Sequence, residues 1–370
     1  MKEDFLHKKL EERRQQNVFR NLKLPLAQVD FCSNDYLGIV KNDLLKSAGR
    51  SGPNTGHKTG STGSRLLTGN YALIEETEKF IASFHKSEAG LIFNSGYDAN
   101  LGLLSSVPGR GDTVLYDYLS HASIRDGIRL SLANSISFLH NDINDLEKKL
   151  QRAKGNIFVV TESVFSVDGD LCPLLQLVEL CEKYNANLII DEAHATGVIG
   201  SRGEGLVQSS ELENRIFARV HTFGKACGVH GAVILGSQNL RDYLINFARP
   251  FIYSTALPEE TISRIRKSYE IFPLLDKDRE NLRLLVNQFQ NASLVFERLN
   301  SMTPIQGIVI PGNEKVKLVA EQLQRGGLDV RPIIYPTVPK GRERLRIVLH
   351  AFNTQQEVQC LVKSLEGCKI

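Results

Sequence analysis

NLIIDEAHATGVIG, residues 187–200, and HTFGKACG, residues 221–228, decide how the rest of the chain is read. Leu188 to Ile190 is an apolar run that ends in Asp191, and His194 follows three residues on. Lys225 comes after a short glycine-flanked turn, with Thr222 three residues before it. A short continuous apolar run is the pattern of a strand buried on both faces. A carboxylate at the end of such a strand and an amine on a nearby turn are the two groups that grip an electron-accepting ring. The acid keeps a ring nitrogen protonated, and the amine holds an aldehyde as a Schiff base. In that reading His194 lies near a ring hydroxyl and Thr222 reaches a phosphate. DEAH also fits a plain strand end with a solvated acidic pair. A helicase reading requires a phosphate loop of the form GxxxxGK[ST], which the chain lacks.

Three hundred and seventy residues exceed a single core of ordinary size, so two domains, or one large domain with an extension, are expected. The chain is 42% apolar and 24% charged, as in soluble globular proteins, and a net charge of +3 without a long basic run argues against nucleic acid as a partner. Six cysteines, at 32, 172, 181, 227, 360 and 368, form no CxxC pair, so neither a disulfide framework nor a metal site is expected. No apolar stretch approaches 18 residues and the N-terminus is charged, which reads as a reduced, cytoplasmic protein with no membrane partner.

Residues 2–20 carry Phe5, Leu6 and Leu10 on one face and read as an exposed amphipathic helix or arm that ends at Arg20. FCSNDYLGI (31–39) is a short apolar start followed by turn formers. Five glycines, at 52, 56, 60, 63 and 69, suit a loop whose backbone approaches a ligand or another chain. Residues 71–88 have helical spacing, and 91–107 read as strand, glycine turn and helix. The N–H groups of Gly96 and Tyr97 at that helix start make an anion site.

His121 follows a strand-like segment, where an imidazole can stack on a ring and move protons. Residues 156–170 are another buried-strand pattern ending in polar residues that include Ser166. Strands alternating with helices predict a mostly parallel α/β sheet with ligands at the carboxyl ends of its strands, where Ser166, Asp191 and Lys225 all fall. A long helix is expected over about 259–299, followed by a smaller C-terminal α/β domain. The expected domains are an arm (1–35), a large domain (36–258) and a small one (259–370).

FCSNDYLG, GSTGSRLLTG, FNSGYDAN, LSHASIRDG, TESVFSVDGD, DEAHATGVIG, TFGKACGVHGA, FIYSTALP and PTVPKGRERLRI, in this order, resemble the α-oxoamine synthase family of fold-type I pyridoxal phosphate (PLP) enzymes over nearly the whole chain. The resemblance implies PLP bound to Lys225, Asp191 against the ring nitrogen, His194 by the ring hydroxyl, His121 stacked on the ring and Ser166 in contact with it. It implies phosphate held by Gly96, Tyr97 and Thr222, with Ser254 or Thr255 entering from the second subunit of a homodimer. Arg20, Thr337 and Arg346 match substrate-contacting positions. PTVPKGRERLRI favours a member that condenses L-alanine with pimeloyl-CoA or pimeloyl carrier protein and releases carbon dioxide. Members using glycine or serine stay open, as does a non-catalytic binding or scaffold protein that keeps the fold. Three departures stand out: a short stretch between Leu22 and Phe31, His57-Lys58-Thr59 before the glycine loop, and Asp98, a carboxylate beside the anion site.

Overall fold

A computed structural model describes residues 2–22, 24, 28–46 and 58–368. Two units are formed: 34–166 with 171–279, and 1–33 with 167–170 and 280–370. The expected limit at 258 therefore lies inside the larger unit, and the expected arm belongs to the smaller one. Of the glycine loop, residues 51–57, His57 among them, lie outside the described residues.

The chain opens with α1 (Asp4–Gln15), none of whose residues is buried, and β1 (Val29–Asp30). In the larger unit α2 (Ala72–Phe84), β2 (Ala89–Phe93), α3 (Gly96–Ser106), β3 (Thr113–Asp117), α4 (Ala122–Leu130), β4 (Asn134–Phe138), α5 (Ile143–Leu150) and β5 (Ile157–Glu162) follow in turn. Then come α6 (Leu174–Lys183), β6 (Ala186–Asp191), the single turn α7 (Leu206–Ser209), β7 (Ala218–Thr222), β8 (Ala232–Gly236), α8 (Gln238–Phe247), the turn α9 (Arg249–Ile252) and α10 (Glu259–Ile271). The seven strands are ordered β2-β8-β7-β6-β5-β3-β4, with β8 antiparallel to both its neighbours and the rest parallel.

Alternation along the strands explains why both faces are covered. Val114, Val160, Ile189 and Val220 pack with Leu103, Leu104, Ile124, Ile128 and Leu244 of α3, α4 and α8. Their neighbours Leu115, Val159, Leu188 and Ile190 pack on the other side with Leu146, Leu177, Val178 and Cys181 of α5 and α6. The sequence reading passed over β4 and α5. The reason is physical: β4 is an edge strand, exposed except at Phe138, so it lacks the apolar run of a buried strand.

One long helix was expected over 259–299, but α10 stops at Ile271. A 3₁₀ turn, Phe272–Leu274, carries Pro273, and α11 (Asp276–Asn291) begins afresh. Proline lacks the N–H that would continue the ladder. Arg249 to Ile252 form the helical turn α9, where Pro250 suits a first-turn position.

The smaller unit is built on an antiparallel sheet of β12 (Arg331–Ile333), β13 (Arg344–Val348), β10 (Ile305–Val309) and β9 (Glu297–Arg298). Helices α12 (Asn313–Arg325) and α13 (Gln355–Gly367) belong with it, and β1 pairs in parallel with β11 (Leu328–Asp329). Residues 167–170 are part of this unit. Ser301 Oγ and Thr303 Oγ1 donate to the Gly169 carbonyl at 2.9 and 2.8 Å, and Arg344 pairs with Asp168. Gly169 has φ +76°, and a Cβ there would lie 2.2 Å from the Ile305 carbonyl, so only glycine fits.

Two buried imidazoles make the larger unit acid-sensitive. His85 and His221 are fully buried with ring centroids 4.0 Å apart. Burial holds both well below the ordinary 6.5, helped at His85 by Arg219 and at His221 by His85 and Arg219. Both groups bind protons more readily in the unfolded chain. Their stabilising neutral form is thus fully present above about pH 6.5 and is lost as pH falls below it. The urea midpoint is expected to drop between pH 7 and 5, with a shallower drop in His221→Asn. Parallel curves for the two proteins would rule the pair out as the cause.

Candidate active site

Parallel strands deliver their C-terminal residues to one edge of the sheet, and β6 lies at its centre. Glu162 ends β5 and Asp191 ends β6, in register with each other. Thr222 ends β7, and His121 caps α4 after β3. A cavity of about 160 Å³ at this edge is lined by Gly96, Tyr97, Asn100, His121, Ser123, Glu162, Asp191, Ala193, His194, Val220, Thr222 and Lys225. Seven of these were named from sequence; Asn100, Ser123, Glu162, Ala193 and Val220 were not.

Asp191 is 6% exposed and fully engaged. Asn100 Nδ2 donates to Oδ2 at 2.7 Å and Ala193 N to Oδ1 at 2.9 Å. The same Asn100 amide donates its second proton to Ser123 Oγ at 3.0 Å, and Ser123 Oγ lies 2.8 Å from His121 Nδ1. Ser123 N also donates to His121 Nδ1 at 3.2 Å. Nδ1 is thereby an acceptor, so the neutral imidazole carries its proton on Nε2. Burial, with Lys225 alongside, holds His121 below its ordinary range against the pull of Asp191 and Asp126. A neutral ring with Nε2–H left as its donor is the result.

His194 Nδ1 lies 2.6 Å from the hydroxyl of buried Tyr36, which comes from the FCSNDYLGI turn. That contact gives the turn its purpose. Tyr36→Phe is expected to leave the fold intact and weaken PLP retention about fivefold, the worth of one hydrogen bond of roughly 1 kcal/mol. Equilibrium dialysis of the cofactor checks it, and unaltered retention would remove Tyr36 from the site.

At the other end of the cavity, Gly96 faces Thr222: a Cβ on Gly96 would lie 3.4 Å from Thr222 Oγ1. Ser95 caps α3 by accepting the Asp98 N–H at 3.0 Å, and its hydroxyl donates to Asp98 Oδ2 at 2.8 Å. The departure at Asp98 is thereby explained, since its carboxylate is spent on the helix cap. Tyr97 is 43% exposed and its hydroxyl donates to Asp126.

Other expected residues stand elsewhere. Ser166 does not line the cavity; its backbone N–H donates to the Glu162 carboxyl. Thr255 is exposed and bridges to Ser64, with its carbonyl accepting from Asn94 Nδ2 at 2.9 Å; it and Ser254 are outside the cavity of their own chain. Gly69 comes so close to Gly63 that a Cβ would lie 2.4 Å from its carbonyl oxygen, which is the use of that part of the glycine loop. Arg20, Thr337 and Arg346 all belong to the smaller unit. There Arg20 and Thr337 are exposed, and Arg346 sits on β13 opposite Gly307 and Arg331.

The donor set suits PLP. A hydrogen-bonded carboxylate stands at the floor, an amine and two imidazoles line the walls, and a helix N-terminus with a hydroxyl closes the far end. Such a sheet with such a site defines a fold-type I PLP enzyme.

The model of the aminotransferase class I and II family matches residues 27–365. The chain is 40% identical to 8-amino-7-oxononanoate synthase of Emericella nidulans, covering 98% of this chain and 94% of that protein. It is 36% identical to the enzyme of the same name from Marinobacter nauticus, covering 97% and 94%. Among solved structures, serine palmitoyltransferase of Sphingomonas wittichii superposes with a TM-score of 0.89 at 26% identity over 99% of this chain and 96% of that one. 8-Amino-7-oxononanoate synthase of Francisella tularensis gives 0.79 at 28% identity over 92% and 97%. The chain belongs to the aminotransferase class I and II family and, within it, to the PLP-dependent α-oxoamine synthases. Among the described residues no helix is long and apolar enough to cross a membrane.

Proposed function

We propose that this enzyme is a cytoplasmic homodimer that condenses L-alanine with a pimeloyl thioester, pimeloyl-CoA or pimeloyl carrier protein. The products are 8-amino-7-oxononanoate, carbon dioxide and the free thiol. The observation that carries the reading is that Lys225, Asp191 and His121 line one cavity at the carboxyl ends of the strands, together with the full-length likeness to proteins of that name.

When bound, PLP supplies an electron sink that makes the α carbon of the amino acid acidic enough to lose its proton near neutral pH. Asp191 keeps the proton on the ring nitrogen, and Asn100 and Ala193 hold its two oxygens in place. Lys225 takes the α proton and later returns one. His121 would stack on the ring, leaving Nε2–H to donate to the alanine carboxylate or the thioester carbonyl. His194, oriented by Tyr36, reaches the ring hydroxyl, and Ser166 supports the wall from which Glu162 projects. Gly96, Tyr97 and Thr222 bind the phosphate, with Thr255 or Ser254 added by the second copy. Arg20, Thr337 and Arg346 are the residues proposed for the acyl substrate.

Borohydride reduction of the PLP-loaded protein, peptide mapping, and turnover with alanine, glycine and serine against pimeloyl-CoA test the proposal. A modified Lys225 and preference for alanine are expected. Preference for glycine or serine would move the enzyme to another α-oxoamine synthase, and a protein left colourless by added PLP would make it a non-catalytic module.

A further inference from the structure

Glu162 is fully buried, 2% exposed, and stands in register beside Asp191 at the cavity edge. Its Oε1 accepts the His121 backbone N–H at 2.7 Å, and the Ser166 backbone N–H also donates to its carboxyl. The same cavity is lined by the Asp191 carboxylate and by one cation, Lys225, whose charge also acts on Glu162. Two adjacent buried carboxylates would share one cation, Lys225. An ionised carboxyl buried without its own counter-charge costs several kcal/mol, whereas a neutral one still accepts both N–H bonds and keeps a hydroxyl as a donor.

We propose that Glu162 is a positioning residue held as an uncharged acid. It pins the backbone of His121, so that the imidazole keeps its place in the cavity, and it leaves Asp191 as the only charged carboxylate there. The proposal deepens the function proposed above and rests on it for the role of His121.

The charged groups around Glu162 agree. Burial and Asp191 push its carboxyl up to about 8, against the His121 and Ser166 N–H bonds and Lys225, which favour ionisation. On β3 the Asp117 carboxylate is taken up by His140 Nδ1 at 3.1 Å. Glu192, next after Asp191, accepts from Val207 N at 3.2 Å through Oε1; burial pushes its own carboxyl up to about 7, and that contribution is the same in wild type and E162Q, so their difference isolates Glu162.

The folded state thus holds a proton on Glu162 that the unfolded chain loses near the ordinary 4.5. This contribution to stability is whole below about 4.5, is lost as pH rises, and is gone past about 8. Glutamine copies the neutral acid, so E162Q should gain stability over wild type progressively from pH 5 to 8, in both the cofactor-free and PLP-loaded proteins.

E162Q is also expected to keep turnover within about threefold and to protect the His121 amide from hydrogen exchange. E162A should lose about tenfold in kcat/KM for the amino acid and expose that amide, the worth of one hydrogen bond to a fixed acceptor. Stability curves of wild type and E162Q that run parallel from pH 5 to 9, or an E162Q as impaired as E162A, would overturn the proposal. The stability and exchange readings need no acyl substrate, so they stand apart from whether pimeloyl-CoA proves to be the donor.

Discussion

Replacing Lys225 by alanine is expected to abolish covalent retention of PLP and to lower turnover at least about 10³-fold, since in the proposed mechanism one side chain supplies both the anchoring amine and the proton-transfer base. The folded protein should persist, because the Lys225 carbonyl still receives the Gly228 N–H and the turn keeps its backbone bonds. Borohydride reduction followed by mass mapping of the 222–232 peptide reads the first effect, and coupled release of free thiol reads the second. A K225A protein that still fixes PLP to another lysine and turns over within tenfold of wild type would displace Lys225 from its role.

Asp191→Asn comes next in size. The substituted amide preserves shape, and its oxygen still accepts from Asn100, at the loss of the bond from Ala193 N. It cannot hold a proton on a ring nitrogen, which removes the electrostatic basis of the sink. A loss of about 10²- to 10³-fold, or roughly 3–4 kcal/mol, is expected, falling on kcat more than on KM. Unchanged PLP affinity with that loss in kcat would locate the defect in chemistry. Turnover within threefold of wild type would mean that the carboxylate does not face the ring.

The two parts of the acid-base machinery differ in how they could be found. Asp191, His194 and Lys225 are legible because each sits at a fixed offset from a buried strand, β6 or β7, whose apolar run announces itself. Glu162 ends β5 with the same signal, NIFVVTE, and the alternation that buries Val160 leaves it at the same strand end. It was not named, because without a His and a nearby Lys turn such as follow Asp191, a carboxyl at a strand end reads as an ordinary solvated turn residue. Asn100 and Ser123 lie in the first halves of α3 and α4, and nothing local sets them apart from ordinary polar helix residues. They matter only because α3 and α4 pack together and bring the Asn100 amide between Asp191 and Ser123.

The amino-acid sequence by itself determined the class of fold, most of the alternation of strands and helices through the larger unit, with β4 and α5 missed, and the acid, amine and imidazoles that line the cavity, because hydrophobic period and strand ends are local properties. The tertiary structure decided the rest. The order β2-β8-β7-β6-β5-β3-β4 places Glu162 against Asp191, and Gly96 faces Thr222 though 126 residues separate them in sequence. Residues 167–170 left the larger unit for the smaller, and Pro273 broke one expected helix into two. Which side chains share a hydrogen bond depends on strand register and helix packing, and those are settled by burying apolar surface over the whole unit at once, which no local window of residues contains.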